Sequence, residues 1–185
     1  MDINELKKRL RDAIDKGIVA RHDFYESLQL DDEQLLGPPA PEIEIQALEK
    51  HIKRILPDSY RTFLAMHNGW KMASAALDLL STTQLLDPQI AQDIADWQAD
   101  MKRHGDEVAA RSLVIGFSDI NATKYLLDPA VQNKDGEWRM VKHYHEEEAD
   151  YESFLAWLEE SIEDYSELAK MDHGDEEPAP DDDEL

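Results

Sequence analysis

The pattern of apolar and polar positions in the first forty residues predicts helices. Apolar residues recur at spacings of three and four, which is typical of an amphipathic helix: Ile3, Leu6, Leu10, Ala13 and Ile14. This helix is predicted to end near Gly17, and a second short helix is predicted over residues 23–30. Three prolines within residues 37–41 cannot continue a helix, because proline lacks an amide donor. Residues 1–37 are therefore predicted to form an N-terminal helical extension.

Three more helices are predicted in the middle of the chain. The first starts near Glu42 and ends before Leu56-Pro57, and the second starts at Asp58, a natural N-cap, and ends at Asn68-Gly69. The third is predicted over residues 88–103. The residues on one face of each helix share helical spacing: Ile45, Leu48, Ile52 and Ile55, then Tyr60, Phe63, Leu64 and His67, then Ile90, Ile94, Trp97 and Met101.

The carboxyl half changes to a period of two, which predicts strands. The alternating apolar residues are Leu113, Ile115 and Phe117, then Tyr125 and Leu127, then Trp138 and Met140. A turn at residues 134–136 joins two of these runs and indicates antiparallel pairing. A closing helix with one apolar face is predicted over residues 151–165, started by Asp150. Residues 171–185 are too acidic and too poor in apolar side chains to order themselves, so they are predicted to be a disordered acidic tail.

The net charge of the chain limits the classes of molecule that it is expected to bind. The formal net charge is −23, and Lys170 is the only basic residue beyond Tyr144. A field of this sign repels nucleic acids and anionic lipids and attracts basic proteins. The alternative is that the acidity only keeps the domain soluble. Charge alone does not decide between these interpretations.

Composition also predicts the compartment. The chain has no cysteine, which fits a reducing environment and removes disulfides, thiolate nucleophiles and cysteine-based zinc sites. Residues 1–10 lack the continuous apolar core of a signal peptide, and no apolar stretch is long enough to cross a bilayer. We therefore expect a soluble, cytoplasmic protein.

The order of several short motifs resembles the SUKH superfamily, the Smi/Knr-like domains. The resemblance covers roughly residues 42–170, and we therefore treat this range as the main domain. The motifs are Leu56-Pro57, residues 58–64, Asn68-Gly69, the strands at 112–116 and 125–129, residues 136–138 and the helix at 151–158. Each motif alone is common at helix ends and turns of unrelated proteins, so the resemblance rests on the order of the motifs. It implies an α+β fold with an antiparallel sheet flanked by helices.

The same resemblance implies a role without catalysis. Bacterial members of this superfamily are commonly immunity proteins that neutralise a cognate toxin, often a nuclease, and fungal relatives are cell-wall regulators that act by binding partners. The chain departs from the family pattern at Trp70 and at residues 117–121. Both departures lie where a binding face would diversify.

The sequence contains fewer features that indicate catalysis or metal binding. His143 and His145 occupy alternate positions of a predicted strand, so both imidazoles would share one face near Glu146, Glu147 and Glu148. Isolated histidines at positions 22 and 51 suggest a general base but lack a convergent nucleophile. No nucleophile elbow, phosphate-binding loop or dinucleotide motif occurs. We expect no enzymatic activity, no metal and no cofactor.

The sequence therefore predicts a docking face that binds a basic protein. Two aromatic residues, Tyr144 and Trp157, fall beside acids and away from the main apolar stripes, where they would anchor a partner or cap the core edge. The candidate partner-binding residues are Trp70, Asp119, Asn121, Tyr144, Glu146, Glu147, Glu148 and Asp150. The alternative is a regulatory or scaffolding module that binds its partner through the N-terminal helices. Oligomeric state is not readable from the sequence.

Overall fold

The computed structural model describes residues 1–29, 35–74, 77–118 and 122–172, and within them the chain forms a sheet of seven strands with seven helices. The helices are α1 (Ile3–Ser27), α2 (Glu42–Ile52), α3 (Asp58–Met66), α4 (Thr82–Leu85), α5 (Pro88–Arg103), α6 (Glu107–Arg111) and α7 (Phe154–Asp172). The strands are β1 (Leu35–Leu36), β2 (Trp70–Ser74), β3 (Leu77–Leu79), β4 (Leu113–Ser118), β5 (Lys124–Gln132), β6 (Trp138–Tyr144) and β7 (Glu146–Tyr151).

The seven strands follow one another across the sheet in chain order, and every neighbouring pair is antiparallel. This meander, flanked by helices, confirms the predicted α+β fold class. None of the helices in the described part of the chain combines the length and the apolar character needed to cross a membrane.

Helices cover both faces of the sheet. In β5, Tyr125 and Leu127 point toward a large core shared with α1, α2, α3 and α7, while Leu126 points toward a smaller cluster under α5 and α6. This alternation is the period of two that the sequence predicts for strands. The aromatic residues Phe63, Trp138 and Phe154 lie in the large core.

The N-terminal segment differs from its prediction. A single helix, α1, runs through Gly17, so the predicted helix end there is wrong. A Cβ at position 17 would lie 2.6 Å from Nη1 of Arg21, so this glycine makes room for a side chain one turn further along. Four apolar residues of α1 enter the large core: Leu6, Leu10, Ala13 and Ile14. The segment predicted as an extension therefore shares its core with residues 42–170.

Arg21 is fully buried and links α1 to the rest of the molecule. Its guanidinium donates hydrogen bonds to the carbonyl oxygens of Ala73 and Gly17 and to Oγ of Ser161. It also lies 4.9 Å from the ring centroid of Trp70 and 4.8 Å from that of Tyr165. Burial lowers the pKa of Arg21 from its ordinary value. Three elements, α1, β2 and α7, meet at this one side chain.

The C-terminal segment also differs in part. Asp150 lies within β7, so the prediction that it starts the closing helix is wrong. Ser153 takes that role, because its Oγ accepts a hydrogen bond from the amide of Ala156. Residues 171 and 172 belong to α7, and the remainder of the predicted disordered tail lies outside the described residues.

Gly37 permits a close approach between two backbones and supplies a test of the packing. A Cβ at this position would lie 2.1 Å from the carbonyl oxygen of Asn68, whereas one at Gly105 would meet nothing within 4 Å. Gly105 has a φ of +85°, which a side chain tolerates at a cost of about 1–2 kcal/mol. We expect Gly37→Ala to lower the free energy of unfolding by more than Gly105→Ala does. Urea denaturation of both variants measures this difference, and equal losses would contradict the packing described for residue 37.

Candidate functional site

β7 forms one edge of the sheet and carries four of the eight predicted partner-binding residues. It is the last strand in the sheet order, so no described strand pairs with its outer side. Four of its six residues are acidic: Glu146, Glu147, Glu148 and Asp150. An exposed edge is a template for pairing with another chain, and charges on such a strand limit unwanted pairing. We call this element, residues 146–151, the acidic edge strand.

The acidic edge strand begins at a tight connection from β6. A single residue, His145, joins the two strands and has a φ of +61°. Tyr144 is 42% exposed, and its ring centroid lies 4.4 Å from that of His145. In the strand register Tyr144 pairs with Glu146, which is also exposed. An exposed aromatic ring therefore stands beside a carboxylate at this end of the sheet.

The end of β4 and the start of β5 lie at this same end of the sheet. Asp119 and Asn121, two of the predicted partner-binding residues, fall outside the described residues. β5 starts at Lys124, which pairs with His143 near the end of β6. The topology thus brings the described start of β5 to the end of the sheet where β6 passes into the acidic edge strand.

A bulge interrupts the pairing within the acidic edge strand. Lys142 of β6 pairs with Ala149, and the next residue of β6, His143, pairs with Glu147. The backbone of Glu148 is therefore the extra residue on the edge side. Such bulges bend a strand and increase its twist, and they are common at the edges of sheets.

A network of alternating charges connects Asp150 to the interior. Nη1 of Arg139 lies 3.7 Å from Oδ2 of Asp150, and Nη2 of Arg139 donates to Oδ2 of Asp128 at 3.1 Å. Arg111 donates to both carboxylate oxygens of Asp128, at 2.9 and 2.7 Å. Asp128 is fully buried, whereas the side chain of Asp150 is 53% exposed. The acidic edge strand is thus anchored to a buried carboxylate that binds two arginines.

The pKa of Asp128 reflects this anchoring. Burial raises the pKa of the carboxyl, but hydrogen bonds from Arg111, from the amide of Ala130 and from Arg139 outweigh that effect. The net result is a pKa below the ordinary value of an aspartate. Asp128 therefore stays ionised and holds both guanidinium groups in place.

His143 and His145 do not form the metal site that their spacing suggested. His143 is 2% exposed, and its Nε2 lies 2.8 Å from Oδ2 of Asp106. His145 lies outside β6 in the connection to β7, where its ring contacts Tyr144. The prediction that the two imidazoles share one strand face is therefore wrong. Among the described residues, no group of three or more histidine, aspartate or glutamate side chains is arranged to hold a metal ion.

Asp106 has a structural role beside His143. Its carboxylate accepts a hydrogen bond from the amide of Ala109 and so caps α6. Burial raises the pKa of Asp106, whereas the bonds from Ala109 and His143 lower it below the ordinary value. The ring of Trp97 meets the edge of the His143 ring, with 5.5 Å between their centroids. His143 therefore joins α5 and α6 to the sheet.

Trp70, predicted to bind a partner, and Trp157, considered either as an anchor or as a cap of the core edge, both lie in the core. Trp70 is 1% exposed and packs against the guanidinium of Arg21, which corrects its assignment as a partner-binding residue. Trp157 is also 1% exposed, and its ring packs against Tyr125 and Phe154. Neither side chain is accessible to a partner in this fold. Of the two aromatics considered as anchors, only Tyr144 is on the surface.

The exposed side of α7 extends the acidity beyond the predicted residues. Four exposed acids recur at spacings of three and four, which places them on one face of the helix: Glu160, Glu163, Asp164 and Glu167. α7 follows the acidic edge strand directly and contacts it. These acids lie opposite the buried residues Leu158, Ser161 and Tyr165. Their spacing along the helix is the signal that would have identified the acids in the sequence.

Comparison with known proteins identifies one family. Residues 39–160 match the model of the SMI1 / KNR4 family (SUKH-1). The match spans α2 to the first part of α7, so it includes the acidic edge strand and leaves α1 outside. No curated protein matches the chain in sequence.

Proposed function

Because this chain belongs to the SMI1 / KNR4 family (SUKH-1), we propose that it is a non-catalytic protein-binding domain that neutralises a cognate bacterial toxin. The docking surface is the acidic edge strand together with Tyr144. The observation that carries this proposal is the position of the acids, which lie on a sheet edge that no described strand pairs with, beside an exposed aromatic ring. Binding energy in protein interfaces is concentrated in a few aromatic residues surrounded by polar ones.

Neutralisation follows from charge complementarity. A toxin that acts on nucleic acid carries a basic surface that grips phosphates. The carboxylates of Glu146 and Asp150 bind the basic side chains that otherwise bind these phosphates. The bound domain then excludes the nucleic acid from the toxin. The rigid sheet and the anchoring of Asp150 through Arg139 keep these carboxylates in place, which reduces the entropy lost on binding.

The test uses a purified toxin domain chosen from the products of the genes that neighbour the gene for this chain. We expect the two purified proteins to form a complex that survives gel filtration, and we expect the toxin's activity to fall in proportion to the complex formed. Because opposite charges steer the encounter, the association rate is expected to fall as salt rises. A toxin domain from an unrelated gene neighbourhood is the control. Absence of a complex with the neighbouring toxin would refute the proposal.

A second candidate function is an intracellular regulatory or scaffolding module that binds its partner through α1. One observation favours it: an open groove of about 440 Å³ between α1 and α7, lined by Val19 and Ile162. Val19 is 58% exposed. Under this alternative, charged substitutions at Val19 abolish binding of the partner, and substitutions in the acidic edge strand leave it unchanged.

A further inference from the structure

A cleft of about 270 Å³ lies between α5, α2 and the sheet. It is bounded by the end of α2, by α5, by the end of α6 and by strands β4 to β6. Its apolar lining includes buried or partly buried side chains of the two cores: Leu48, Ile52, Ile94, Leu113, Val114 and Trp138. The cleft therefore offers an apolar floor that is open to solvent.

α5 leaves this cleft open because it packs loosely on the sheet. The helix has sixteen residues, and none of them is fully buried. Its apolar stripe is only partly covered, and Ile94 lines this cleft on one side of the helix and a second gap of about 200 Å³ on the other. Helices of globular proteins ordinarily bury such a stripe against a core. The space beside α5 is thus a feature that the packing of this chain does not fill.

The charges around the cleft have the opposite sign to the rest of the protein. The charged side chains of its lining are Arg54 and Arg111, and no described carboxylate lines it, although acids outnumber lysine and arginine by 42 to 19 in the chain. Arg54 is exposed and forms no ion pair with a described residue. Arg111 is held by Asp128 through Nε and Nη2, which orients the guanidinium at the cleft wall.

Polar groups at the cleft are also pre-oriented. Nε2 of Gln98 donates to the carbonyl oxygens of Ala109 and Ser112, at 3.1 and 2.7 Å. This fixes the amide of Gln98 beside Arg111 at the junction of α5 and α6. A site with an apolar floor, a few fixed polar groups and a local charge excess is typical of recognition sites.

We propose that this cleft binds an acidic peptide segment of a partner protein, with one apolar side chain inserted over Trp138 and a neighbouring carboxylate held by Arg54. The volume favours a single side chain, because pockets for whole small-molecule ligands measure roughly 300–1,000 Å³. Charge complementarity favours an acidic segment, because Arg54 and Arg111 line the cleft and no described carboxylate does. The site is separate from the acidic edge strand and does not depend on toxin binding.

The test uses a fluorescent acidic peptide with one central leucine, acetyl-Asp-Asp-Leu-Asp-Asp-amide, and fluorescence anisotropy as the measurement. We expect saturable binding, and we expect a shift of the Trp138 indole resonance in NMR spectra. Replacing the central leucine by alanine is expected to weaken binding about tenfold or more, which corresponds to the loss of one buried side chain. Replacing the aspartates by lysines is expected to abolish it.

Protein variants separate the cleft from nonspecific charge effects. Arg54→Glu is expected to weaken binding of the peptide about tenfold, whereas Arg103→Glu, the same charge change at the exposed end of α5, is expected to leave it unchanged. Ala95→Trp fills the cleft from an exposed helix position and is expected to abolish binding with the fold retained. Arg111 is not a useful target, because its substitution also removes a partner of Asp128.

Several outcomes would overturn the proposal. Equal loss of affinity in Arg54→Glu and Arg103→Glu would show binding by general charge. Binding of free 4-methylpentanoate as tight as that of the peptide would assign the cleft to a small carboxylate ligand. Self-association of the wild-type chain that Arg54→Glu removes would assign it to a second copy. Each result is independent of whether a toxin binds the acidic edge strand.

Discussion

Asp128→Asn is expected to lower the free energy of unfolding by about 3–5 kcal/mol, the cost of breaking a buried ion pair. The fully buried carboxylate of Asp128 accepts hydrogen bonds from Arg111 and Arg139. An amide at this position keeps the shape but leaves two guanidinium groups without a buried counter-charge. Urea denaturation followed by circular dichroism measures the loss.

Asp150→Asn is the matched control, because Asp150 interacts with the same arginine. Its side chain is 53% exposed and lies 3.7 Å from Arg139, so we expect a loss of less than about 1 kcal/mol. A loss in Asp128→Asn no larger than in this control would contradict the anchoring role of Asp128.

The difference between wild type and Asp128→Asn is also expected to depend on pH. The pKa of Asp128 is lower in the folded protein than its ordinary value, so the unfolded chain binds more protons between the two values. Stability from the ionised carboxylate is therefore fully present above the ordinary pKa and is lost as pH falls through the lowered one. We expect the two denaturation midpoints to converge in that acidic range.

Reversing two charges on the acidic edge strand is expected to slow association with the toxin by about tenfold or more at low salt. The double variant Glu146→Lys, Asp150→Lys replaces two exposed acids and turns steering attraction into repulsion. Stopped-flow or surface plasmon resonance measurements of the association rate test this. The slowing is expected to shrink at high salt, because screening weakens steering.

The control for this variant makes the same change in net charge on α1. Asp12→Lys, Asp15→Lys replaces two exposed acids of that helix, which lies outside the family match. We expect a much smaller effect on the association rate. If the α1 pair slows association and the β7 pair does not, the binding surface lies on α1, as in the alternative function. Deleting residues 1–37 is a poorer test, because α1 supplies part of the core.

Local sequence patterns predicted the elements whose side chains repeat regularly. The helices at 42–52, 58–66 and 88–103 and the strands β4, β5 and β6 follow their apolar spacings closely. β2 and β3 were missed, because short strands such as Trp70–Ser74 and Leu77–Leu79 contain too few residues to display a period. Gly17 was misinterpreted as a helix end because its actual role, making room for Arg21, depends on a tertiary contact.

The candidate surface was predictable only in part. A run of acids identified residues 146–150, but the position of these acids on the sheet edge depends on the pairing of all seven strands. Trp70 was assigned to the surface because the sequence does not show that Arg21 and Tyr165 meet beside it. An aspartate within an apolar strand, Asp128, was a visible signal of a buried charge network, and its partners Arg111 and Arg139 come from separate elements.

The central claim is that the acidic edge strand contacts the toxin, and amide hydrogen exchange of the complex tests it most directly. The outer amides of β7 face no described strand in the free protein, so a partner that docks on this edge protects them. We expect residues 144–151 to become protected in the complex, while α1 exchanges as in the free protein. Protection confined to α1, with β7 exchanging as before, would contradict it.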